Sequence, residues 1–83
     1  MELDHFTTST LVSSTEVELI GFSVKATSDA EVVFHESDDN TGTVVLYLLL
    51  GEGQSVTEEL GLKLDALYVE VVSGDVEGSV WVS

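Results

Sequence analysis

The sequence contains no cysteine, no proline and no arginine, and its only cations are Lys25 and Lys63. Without cysteine there is no disulfide and no zinc-thiolate site. With two lysines against sixteen aspartates and glutamates there is no cluster of positive charge to grip phosphates, so direct nucleic-acid binding is not expected. No apolar run approaches the roughly 18 to 20 residues of a membrane span, and the first residues, MELDHF, are acidic where a signal peptide is basic. A soluble protein made in the cytoplasm, with no membrane partner, is therefore expected.

What is present is acid and β-forming residues. The formal net charge is -14 over 83 residues, yet 43% of the residues are apolar and lie in distinct runs, which argues for a folded domain rather than a disordered chain. So many like charges on a small body repel one another, and concentrated salt, with a Debye length of about 3 Å at 1 M, relieves this. An acid-rich, lysine-poor surface is the kind carried in high salt, so a halophilic source is expected.

The central run is Thr43 to Leu50, TVVLYLLL, bounded by Asp38-Asp39-Asn40-Thr41-Gly42 and by Gly51. A strand with one wet face alternates apolar and polar residues; here both parities are apolar. Val44, Leu46, Leu48 and Leu50 share one face and Val45, Tyr47 and Leu49 the other. One face can be covered by the rest of the domain. The other calls for a second copy or another protein.

Around it, residues 6–12 (FTTSTLV) are predicted as a first strand. Residues 17–27 alternate with a one-residue slip at Leu19-Ile20 beside Gly21, the signature of a β-bulge and of a bend at a sandwich corner. Residues 31–37 place Val32 and Phe34 inward. Residues 54–60 alternate weakly; Leu60, Leu64 and Leu67 have helical spacing, but Gly61 favours strand and loop. Residues 66–72 and 76–83, joined by Ser73-Gly74-Asp75, predict a hairpin. With turn signals at regular intervals and no proline, the pattern predicts a single all-β domain, residues 1–83, forming a small antiparallel sandwich or barrel of about six to eight short strands.

Chemistry is sparse. His5 and His35 are the only histidines; His35 is expected on the surface, and nothing in the spacing ties a serine to either, so no enzyme is expected. Asp38, Asp39 and Asn40, with Glu36 upstream, group hard oxygen ligands as a weak cation candidate, without the twelve-residue calcium-loop pattern. No catalytic residue, metal centre or cofactor is assigned. Phe22 and Phe34 belong to the core, whereas Val45, Tyr47, Leu49, Tyr68 and Trp81 are the interface candidates.

The Leu run and glycines of residues 46–53, followed by LYVEVVSGDVEGSVWVS at 67–83, resemble the small β-sandwich proteins encoded among the structural genes of tailed phages and archaeal tailed viruses. Those proteins end in a G-L-Y-V strand, an S-G turn and a G-S-V-x-V strand; Ala66 stands here in place of the first glycine. The resemblance implies a virion component: a head-decorating protein, or a tail, fibre or turret module. It would associate with its own copies, a trimer being the first expectation, and with a major capsid or other virion protein. Two other readings are a carbohydrate-binding adhesion module, using Tyr68 and Trp81 beside the Asp38 loop, and an acidic mimic of DNA.

Overall fold

A computed structural model describes residues 2–83. Eight strands follow in order: β1 (Glu2–Phe6), β2 (Thr10–Ser13), β3 (Val17–Ala26), β4 (Ala30–Glu36), β5 (Thr43–Leu50), β6 (Ser55–Leu64), β7 (Leu67–Ser73) and β8 (Val76–Val82). They form two antiparallel four-stranded sheets, β1-β8-β3-β6 and β2-β7-β4-β5, which pack face to face as the expected all-β sandwich. Residues 57–67, for which helical spacing was present, are extended through β6 and into β7.

Between the sheets lie the inward parities of each strand. Leu19, Phe22, Val24, Val32, Phe34, Leu67, Val69 and Val80 are sealed from solvent, and the Phe22 and Phe34 rings meet at 5.1 Å with their planes tilted by 56°. That is the offset, edge-biased geometry aromatic pairs prefer. Phe6 reaches this core from β1 because its register partner on β8 is Gly78: a Cβ there would run into the Phe6 ring.

Three expectations about connectivity are corrected. Residues 6–12 are not one strand: Phe6 ends β1 in one sheet, residues 7–9 cross over, and β2 begins in the other sheet at Thr10. The polar ELDHF stretch shows no apolar alternation, so its pairing with β8 leaves no pattern to read. Residues 66–83 are not a hairpin either. β7 and β8 belong to opposite sheets, and Ser73-Gly74-Asp75 arches between them. The arch is held against the neighbouring turn at Thr27 to Ala30, where Thr27 N donates to the Asp75 carbonyl (2.9 Å) and Asp75 N to Ser28 Oγ (2.9 Å). Gly74 is at φ 79°, and a Cβ on it would strike the Asp29 carbonyl oxygen and Ala30. Finally, the slip beside Gly21 is a bulge, with register shifts between Leu19 and Gly21 toward both β6 and β8, but β3 turns no corner and stays in one sheet throughout. Among the successive pairs, only β4 and β5 form a hairpin within one sheet.

Candidate interaction face

The two outer faces of the sandwich differ. On the β1-β8-β3-β6 sheet, His5, Ser79, Ser23 and Thr57 stand in one cross-strand row. They pair as Ser79 Oγ with His5 Nδ1 at 2.7 Å and Ser23 Oγ with Thr57 Oγ1 at 2.9 Å. The Ser79–His5 contact is a serine–histidine pair that sequence spacing did not show. It is a rung between neighbouring strands, and among the described residues no carboxylate hydrogen-bonds to the imidazole, so the third member of a hydrolytic triad is missing. Trp81, half-buried, stands on this same face in register with Gly21 and Leu3.

The outer face of the other sheet is largely apolar, with Glu31 and Glu70 set among its side chains. Exposure is 73% for Leu49, 56% for Tyr47, 52% for Val44, and 47% for both Leu11 and Val72. Tyr68 is half-buried on the same face, in register with Leu11 on β2 and His35 on β4. Val33 is buried although its parity points outward, between its cross-strand neighbours Tyr47 and Glu70.

Of the five candidate interface residues, Tyr47, Leu49 and Tyr68 share this face. Val45 does not: it is half-buried and packs against the core. The β4–β5 register runs from Phe34 opposite Leu46 to His35 opposite Val44, leaving Val45 as the extra residue of a bulge. Before the bulge the parity inverts, so Val44 is the exposed residue. Trp81 lies on the opposite side of the molecule, because alternation tells which side of a strand a residue occupies but not which sheet owns the strand. For the same reason Tyr68 and Trp81 form no common platform for a sugar. Leu11 and Val72 were not singled out, although Val72 keeps the parity of Tyr68 and Glu70.

His35, expected on the surface, is 4% exposed. Its Nδ1 lies 3.1 Å from the Gly42 carbonyl and its Nε2 2.9 Å from Glu70 Oε1, and both partners are acceptors. The pair ties the β4–β5 turn to β7. Among the described residues it is the one contact between a carboxylate and a basic side chain; neither lysine lies within ion-pair distance of an acid. In the turn itself, the Asp39 carboxylate accepts Thr41 Oγ1 at 2.6 Å and Thr41 N at 2.9 Å, and these bonds hold its pKa below the usual carboxylate value. Asn40 turns its amide toward Glu70, 3.5 Å away. Of the candidate oxygens, that of Asp39 is engaged in closing the turn, and Glu36 accepts instead from Asp65 N at 3.0 Å. Among the described residues no group of three His, Asp or Glu side chains is arranged to hold a metal. Tyr47 donates its hydroxyl to the Glu31 carboxylate, which pushes the phenol above its ordinary pKa.

No protein-family model and no curated protein sequence matches the chain. Among solved structures, a protein of Bacillus endospore appendages, which form a novel family of disulfide-linked pili, superposes with a TM-score of 0.57 at 15% identity, over 98% of this chain and 80% of that one. In fold, the chain is similar to a pilus protein. At that identity the likeness concerns the sandwich alone. The disulfide linkage of that pilus has no counterpart in a sequence without cysteine.

Proposed function

We propose that the chain is a non-enzymatic structural subunit that assembles with its own copies into an extracellular or virion-borne structure. The observation that carries this reading is the outer face of the β2-β7-β4-β5 sheet, with Leu11, Val44, Tyr47, Leu49 and Val72 open to solvent on a molecule of 33 × 25 × 16 Å. A soluble monomer seldom leaves such a contiguous apolar patch bare.

The energetics favour many contacts over one. Burying an exposed aliphatic side chain is worth about 1.5–3 kcal/mol, and these residues are roughly half-exposed already, so each contributes about 1 kcal/mol on being covered. Two copies then gain on the order of 10 kcal/mol, within the range of about 4–15 kcal/mol that association costs. A single contact is reversible. A lattice or filament, in which each copy makes several, is stable.

Two finer forms follow from different observations. The strand and turn residues of 67–83 favour a capsid-decorating protein bound to the head surface, and the fold shared with a pilus protein favours a fibre or appendage subunit. In both, the acid-rich surface suits assembly in concentrated salt. The test is mass spectrometry of virions and extracellular filaments purified from cultures that carry the gene. The chain is expected at high copy in one of the two fractions; finding it in neither, while it is abundant inside cells, overturns the reading.

A further inference from the structure

We propose that β5 is a pairing edge, at which two copies of this chain join antiparallel about a two-fold axis through Leu48. The inference rests on the self-assembling reading above and names the surface and register that would serve it.

Four strands are sheet edges: β1 and β6 in one sheet, β2 and β5 in the other. Three are blunted in ways that oppose pairing with another chain. β1 carries Glu2 and Asp4 in five residues. β6 carries Glu58, Glu59 and Lys63, and Gly61 breaks its run at φ 83°. β2 is four residues long with a register shift inside it. β5 has only the bulge at Val45, near its start; its eight residues are all uncharged, with no proline and no glycine, and the pairing is regular from Leu46 to Leu50. On a chain of net charge -14 it is the only long edge along which a second copy can lie without setting acid against acid residue by residue.

The register follows from the bulge. Residues directly opposed in an antiparallel pair share a face. Leu46, Leu48 and Leu50 pack against the core, and Tyr47 and Leu49 point outward. An axis through Leu48 sets Leu46 against the partner's Leu50 and Tyr47 against the partner's Leu49, so every pair matches. An axis through Tyr47 sets outward Leu49 against the partner's core-facing Val45, a mismatch. Such pairing is isologous and closes as a dimer. A trimer through β5 would need a different edge as its mate, and the long ones are charged. At the ends of the joint, Asp38 and Asp39 of one copy approach Glu52 of the other, so the dimer tightens as salt screens them.

Because the chain has no cysteine, introduced thiols report the register without background. Y47C and L49C proteins, alone and mixed, are oxidised at molar salt. Cross-linked heterodimer is expected severalfold above either homodimer, together with an increase of about tenfold or more in the dimer dissociation constant of L49E, whereas L3E, which adds the same charge to β1, leaves it unchanged. Leu49 is 73% exposed, so neither change at that position disturbs the core. If the chain is oligomeric but the mixture cross-links no better than its components, or L3E weakens it as much as L49E, the β5 joint is wrong while self-assembly stands. If it is monomeric at all concentrations and salts, both readings fall.

Discussion

At the scale of single residues, the polar group that matters most to stability is His35. Both of its nitrogens face acceptors, the Gly42 carbonyl and the Glu70 carboxylate, inside a face that is largely apolar. Removing it in H35A leaves the Gly42 carbonyl without that partner and strips one from Glu70, which costs about 1–3 kcal/mol. Urea denaturation should show this loss, with faster hydrogen exchange in the β4–β5 turn. Tyr47 gives a second test. Its hydrogen bond to Glu31 raises the phenol's pKa, so this contribution is complete below the ordinary tyrosine value of 10.0 and is lost as pH rises through the folded-state value. E31Q should return the phenol toward that ordinary value, read from phenolate absorbance in an alkaline titration. An unchanged midpoint would show that the bond does not form in solution.

At the scale of elements, the strands were legible and their partners were not. The parities of β3 and β4 placed Phe22, Val32 and Phe34 inward, where they are buried, because alternation of period two is a local property of the chain. Sheet membership is not local. A glycine-containing turn between two alternating segments reads as a hairpin, yet Ser73-Gly74-Asp75 crosses between sheets, and what distinguishes it is its packing on the distant Thr27 to Ala30 turn. Nor does the sequence show where a bulge exchanges Val44 for Val45, since both are valine. The exposed apolar face was legible in Tyr47, Leu49 and Tyr68, whereas Trp81 falls on the other sheet, by this same division. Gly74 separates an arch from a hairpin experimentally. G74A combines left-handed strain of about 1–2 kcal/mol with a backbone collision, so it should cost more than about 2 kcal/mol. G53A, at φ 83° with nothing within 4 Å of its Cβ, should cost the strain alone. Equal losses in the two variants would contradict the packed arch.

At the scale of the whole molecule, charge and apolar surface act against each other. Sixteen acids lie on the surface, none of them buried, and among the described residues no lysine pairs with any of them, so repulsion is relieved mainly by the solution. The melting temperature should therefore rise between low and molar sodium chloride; 1 kcal/mol of relieved repulsion corresponds to about 4–8 °C in a domain of this size. A melting temperature that falls or stays level would show that the charges are spaced widely enough not to matter. Screening should also let the apolar sheet faces of separate copies meet. The most direct test is the mass of the unmodified chain by light scattering in molar salt as concentration is raised. A mass climbing from 8.9 kDa to at least twice that value is expected. A mass held at 8.9 kDa throughout would contradict the claim that this sandwich is built to be joined by its own copies.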